Sequence, residues 1–124
     1  MDWQPRQFPR FKAALPVELR PIGLSVPLRG QTGDISLGGL YVEMTFTQQI
    51  STELDISLWI GDHKIRARGT VVSNHPAFGN GIKFTYIDET DRDGLKRFIT
   101  SLQGNNPPAR SGLRLDASRR RSLI

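Results

Sequence analysis

Between Leu54 and Val71 the apolar residues fall on every second position, and no other feature of the chain restricts its fold so strongly. Leu54, Ile56, Leu58 and Ile60 alternate with Asp55, Ser57 and Trp59; after Gly61-Asp62-His63, Ile65, Ala67, Gly69 and Val71 lie opposite Lys64, Arg66, Arg68 and Thr70. Successive side chains of an extended chain point to opposite faces, so this pattern fits strands with one wet and one dry face. Two such strands joined by a Gly/Asp turn make an antiparallel hairpin. The same period recurs at Leu40–Val42–Met44 and at Ile82–Phe84–Tyr86, on either side of a loop at Asn74–Asn80. Earlier, Val17 and Leu19 with Glu18 and Arg20 opposite mark a first strand within Phe11–Ile22, its ends disturbed by Pro16 and Pro21. Leu28–Ile35 marks a second, weakened by Gly30 and Gly33.

The period changes once. Leu95, Phe98, Ile99 and Leu102 stand at i, i+3, i+4 and i+7, one apolar face of a helix. Asp88 or Thr90 can cap its start, acidic residues fill its first turn and Gly104 supplies the stop. Gly94 within it costs about 1 kcal/mol relative to alanine. Six short strands and one helix predict a mainly-β fold: a small six-stranded antiparallel β-barrel with a C-terminal α-helix, closed because closure removes unpaired edges. Residues 1–10, with two prolines and no period, are expected to form a flexible arm; 11–104 hold the barrel and helix; 105–124 are expected to form a flexible basic tail.

The net charge of +5 and pI near 10.2 raise the question of nucleic acid. Residues 1–104 hold 12 Lys and Arg against 11 Asp and Glu, whereas 105–124 hold five arginines against Asp116 alone. The excess therefore belongs to the tail, and nucleic acid is not the expected partner of the body. No apolar run approaches the ~20 residues of a membrane span and Met1–Arg10 has no signal-peptide pattern, so a cytoplasmic location is expected. The absence of cysteine excludes disulfides, thiolate zinc and thiol catalysis. His63 and His75 fall in predicted turns with no ligand pair nearby, so no metal or other cofactor is expected. No nucleophile, base and orienting group can be assembled, and an enzyme is the least supported class. Trp59 faces away from its strand's apolar side, as an exposed partner patch or a rim residue, and Arg66 and Arg68 read as a solvated face.

Two motifs carry the chemistry. Arg6-Gln7-Phe8-Pro9-Arg10 sets two arginines four apart in the arm, and Asp34-Ile35-Ser36-Leu37-Gly38-Gly39 is an Asp-x-Ser-x-x-Gly run between two strands. Alone, the first is a solvated basic arm and the second a strand-connecting turn. Together, in this order and spacing, they resemble the PilZ domain, a bacterial receptor for the second messenger cyclic di-GMP. The Pro-Val-containing first strand, Ala67-Arg68-Gly69-Thr70-Val71-Val72, Gly79-Asn80-Gly81-Ile82-Lys83-Phe84 and the closing helix extend the resemblance over roughly residues 5–103.

The resemblance implies that Arg6, Arg10, Asp34, Ser36, Gly38 and Gly39 bind cyclic di-GMP. A guanidinium fork meets guanine O6 and N7, stacks on purines and pairs with phosphate. Extended residues four apart lie up to ~14 Å from each other, enough to straddle a compact dinucleotide. Asp34 would accept a guanine N1–H and N2–H pair or fix an arginine rotamer, and Ser36 would bond a phosphate oxygen or a purine edge. Gly38 and Gly39 would allow a tight turn and close approach of ligand to backbone; Gly39 is the motif glycine and Gly38 an additional one. Where the family often has a further arginine before the first motif arginine, Pro5 stands here, which points to a single bound ligand. Binding would draw the arm over the barrel and present a new surface to an unidentified effector protein. Two other readings use the same residues: a small basic β-barrel that binds nucleic acid through the tail, and a PilZ-like protein-docking module without ligand binding. The intact motifs argue against the second.

Overall fold

The computed structural model describes residues 8–105. Its strands are β1 (Phe11–Lys12), β2 (Pro16–Pro21), β3 (Leu28–Ile35), β4 (Gly39–Glu43), β5 (Glu53–Ile60), β6 (His63–His75) and β7 (Gly79–Ile87), followed by the helix α1 (Glu89–Asn105). All pairings are antiparallel. Six strands run in the order β3-β2-β5-β6-β7-β4, and β4 pairs with β3 again, so the barrel closes; β1 is an extra strand alongside β3. Leu54, Ile56 and Leu58 of β5 and Ile65, Ala67 and Val71 of β6 all face the core, as the alternation requires.

The expected first strand is split in two. Proline lacks the N–H for a ladder bond at Pro16, and residues 13–15 leave the ladder. A buried side chain holds them instead: Thr32 Oγ1 accepts the Leu15 N–H at 2.9 Å and donates to the Ala13 carbonyl. The expected loop at Asn74–Asn80 shrinks to residues 76–78, with Ala77 at φ 70°, because β6 runs on to His75. Asn80, fully buried, accepts the Gln48 N–H and donates to the Gln48 and Ser73 carbonyls, tying the β4–β5 loop to the barrel. At the β5–β6 hairpin Ile60 faces His63, and Gly61 alone of the two turn residues has positive φ, 61°. That fits a type II′ turn, whose twist suits the strands it joins.

Asp88 caps α1, its carboxylate accepting the Asp91 N–H at 2.9 Å. The Asp91 carboxylate in turn accepts the Arg66 N–H of β6 at 3.2 Å. Leu95 and Ile99 are buried, with Phe98 and Leu102 packed at the margin. The helix extends to Asn105, so Gly104 lies in its last turn and does not end it. No helix among the described residues is long and apolar enough to cross a membrane.

The alternation of strand direction puts the β3–β4 and β5–β6 connections and the start of α1 at one end of the barrel. The other three connections, at the opposite end, carry the exposed Ile22, Leu24, Val26, Phe46, Ile50 and Phe78.

On the outer face Asp55 lies opposite Arg20 of β2 and Arg68 of β6, with both guanidinium contacts at 3.0 Å. The Arg20 hydrogen bond leads in holding its carboxyl below the usual 3.8, aided by the charge and hydrogen bond of Arg68, while partial burial opposes them. A depressed folded pKa gives stability that is present above pH 3.8 and lost as pH falls through the lower folded value. The arginines are more than half exposed, so Asp55→Asn should cost about 1 kcal/mol or less near pH 7 in urea unfolding. That difference should disappear as the pH falls below 3.8; a constant difference would remove the ion pairs as its source.

Candidate functional site

The site begins with a bulge in β3. Thr32 pairs with Val42 and Asp34 with Tyr41, leaving Gly33 as one extra residue. Side-chain direction in a strand has period two, so an inserted residue reverses the faces beyond it. Thr32 and Ile35, three positions apart, are therefore both buried, and Asp34 is turned outward and half-buried between them.

Lys12 of β1 stands opposite Asp34 on one side and Tyr41 of β4 on the other. Burial raises the Asp34 carboxyl above its usual range; the charges of Arg10 and Lys12 pull it back down, and Glu43 adds to the rise. Among the described residues, the buried Oδ1 of Asp34 has no hydrogen-bond partner. An acceptor in that position lowers its energy by meeting a donor brought from elsewhere. Tyr41 responds to the same surroundings, its hydroxyl pushed up by burial and then by Glu43 and Asp34, and it contacts His75 Nδ1 at 3.2 Å.

The turn from β3 to β4 is built on Ser36, which is buried. Its N–H donates to the Gly39 carbonyl at 2.9 Å. Its hydroxyl donates to that same carbonyl and accepts the N–H groups of Gly38 at 3.0 Å and Gly39 at 3.1 Å. The hydroxyl expected at a phosphate or purine edge is thus engaged inside the turn, where it sets the loop's shape. Neither Gly38 nor Gly39 has positive φ, so the need for glycine here is space and not left-handed backbone. At Gly39 a Cβ would collide with the Ile82 carbonyl oxygen of β7. At Gly38 it would lie 2.6 Å from Cδ2 of Phe8.

Phe8 brings the arm to the site. Its half-buried ring rests on Gly38, with the Arg92 guanidinium of α1 5.9 Å from its centre. Arg92 also donates to the Leu37 carbonyl at 3.4 Å. Arg10, Asp34, Ser36, Gly38 and Gly39 therefore share one end of the barrel. Arg6 lies outside the described residues. Arg66 and Arg68, on β6, are across the closed strand order from β3. Lys12, Tyr41 and Arg92 were not marked by any motif. Lys12 follows Arg10 by two residues and so shares a face with it when extended, a usable signal, whereas Arg92 looks like any exposed helical arginine. Among the described residues, no cluster of His, Asp or Glu is placed to hold a metal ion.

A family model described as the PilZ domain matches residues 4–101, most of the chain and both motifs. The chain belongs to the PilZ family. The structure of the Bacillus subtilis inhibitor of motility, MotI/DgrA, matches this PilZ chain with a TM-score of 0.68 at 23% identity, covering 84% of this chain and 54% of the other. The chain thus spans about half the length of that protein. The PilZ domain of CeSA from a cellulose-synthesizing bacterium gives 0.61 at 23% identity, covering 76% of this chain and 97% of that domain. The PilZ domain of Escherichia coli YcgR, solved with c-di-GMP, gives 0.66 at 18% identity, covering 82% and 94%. At these identities the likeness shows the shared fold. No curated protein matches the sequence.

Proposed function

We propose that this PilZ domain binds cyclic di-GMP and passes the signal to an effector protein through its N-terminal arm. The observation that carries the reading is the Asp34 carboxylate, turned outward by the Gly33 bulge, with one buried oxygen lacking a partner among the described residues and the charges of Arg10 and Lys12 beside it. Guanine N1–H and N2–H are donors of the kind that oxygen lacks. Arg6 and Arg10 supply the guanidinium forks for phosphate and guanine; Ser36 and Gly39 hold the turn in shape. The YcgR PilZ domain, solved with c-di-GMP, supports the choice of ligand. Engagement of Arg6 and Arg10 by the ligand tightens the arm on the barrel and changes the surface that an effector meets. The reading needs no catalysis, cofactor or nucleic acid, and places the chain in the cytoplasm with its messenger.

Charge dependence separates this from a basic barrel binding nucleic acid. Replacing Arg119, Arg120 and Arg121 by glutamine should leave calorimetric affinity for cyclic di-GMP within about twofold. Its logarithm should fall on log salt with a slope of about −1 to −2, as two phosphates allow. Binding that depends on the tail arginines, with a much steeper slope toward single-stranded DNA and none for cyclic di-GMP, would favour the nucleic-acid reading.

A further inference from the structure

The contacts of Phe8 go beyond what the two motifs require. Phe8 is the central residue of the Arg6–Arg10 segment, and its ring occupies the space that a side chain at residue 38 would need. All the nearest atoms to a Cβ built on Gly38 belong to that ring, at 2.6, 3.3 and 3.5 Å. Arg92 also reaches from α1 to the ring and to the Leu37 carbonyl of the same turn. Arm, motif turn and helix thus meet at one aromatic side chain.

We propose that Phe8, Gly38 and Arg92 form a clasp that docks the arm on the barrel before ligand arrives, making Phe8 a positioning residue for the arginines that flank it. The inference rests on the reading that those arginines bind cyclic di-GMP. The ring sits two residues from each arginine, so fixing it removes much of the freedom that binding would otherwise have to remove. Gly38 serves the clasp because it has no side chain. Its usefulness is therefore conditional on Phe8, and that condition can be tested.

Two measurements on the full chain test this, one without ligand and one with it. In limited trypsin digestion followed by mass spectrometry, cleavage at Arg10–Phe11 of the free protein should be several-fold faster in Phe8→Ala and in Gly38→Ala than in wild type. Calorimetric titration with cyclic di-GMP should show each variant weakened roughly three- to tenfold, about the effect of one more mobile side chain. The double variant should bind no more weakly than Phe8→Ala, because without the ring a methyl at residue 38 meets nothing closer than ordinary contact. Phe8→Tyr, which keeps the ring, should bind like wild type. An unchanged cleavage rate, additive losses in the double variant, or failure of tyrosine to restore binding would each overturn the clasp. Wild type that does not bind cyclic di-GMP would instead overturn the functional reading, while the ligand-free digestion would still decide whether the clasp exists.

Discussion

Arg10→Ala should weaken cyclic di-GMP binding by roughly a hundredfold, measured by calorimetry at moderate salt. A bidentate guanidinium contact to guanine contributes about 1–3 kcal/mol, a factor of about five to somewhat over a hundred. Arg10 is also the leading charge that draws the Asp34 carboxyl down against its burial, so its removal disturbs two of the proposed ligand contacts together. Arg10→Lys should fall between wild type and alanine, since lysine keeps the charge but not the planar fork. Asp34→Ala should lose affinity to a similar degree. The pH dependence follows from the raised Asp34 pKa. Its ionised form is disfavoured on folding, so its contribution to stability is greatest below pH 3.8 and declines as pH rises through the raised folded value. Asp34→Asn should therefore make the free protein slightly more stable to urea near neutral pH while weakening binding. Wild-type binding should decline as the solution is acidified through that same value. Unchanged affinity in both Arg10→Ala and Asp34→Ala would remove the site.

Gly39→Ala should produce the largest loss of stability of any single methyl addition at the motif. The atoms it would meet are backbone: the Ile82 carbonyl oxygen, with the Ile82 carbonyl carbon and Lys83 Cα both at 3.1 Å. Backbone in a closed barrel cannot swing aside as a side chain can, and Gly39 pairs directly with Lys83 in the β4–β7 ladder. Overpacking of this kind costs about 1–3 kcal/mol. For a domain of this size that corresponds to a melting temperature lower by roughly 5–20 °C. Gly38→Ala, one residue away, should shift it much less, because the obstacle there is the ring of Phe8. Equal shifts in calorimetric unfolding scans would show that the two glycines do not divide the work in this way.

The strands, the hairpin turn at Gly61 and the helix face were legible in the sequence because each is a local periodicity or a local dihedral requirement. Leu54–Leu58 and Ile65–Val71 had only to alternate, and Leu95–Leu102 only to change period, for the barrel and its helix to be expected. The split of the first strand was marked by Pro16, yet its form depended on Thr32, which lies 16 residues further along the chain. The two motifs were legible as residue types in order, and the family match covers both. What they did not reveal is direction. The Ser36 hydroxyl turns into its own loop, and Asp34 turns outward because Gly33 reverses the parity of β3.

By itself, the sequence determined a small closed barrel with a capping helix, a charge excess lying mostly in the tail, and two motifs of matching chemistry. The tertiary structure alone decided why Gly39 must be glycine, which oxygen of Asp34 is left without a partner among the described residues, and that Phe8 meets Arg92 over Gly38. The physical reason is distance along the chain. Alternation and capping act between residues a few positions apart, whereas Gly39 against Ile82 and Phe8 against Arg92 become neighbours only when the barrel closes.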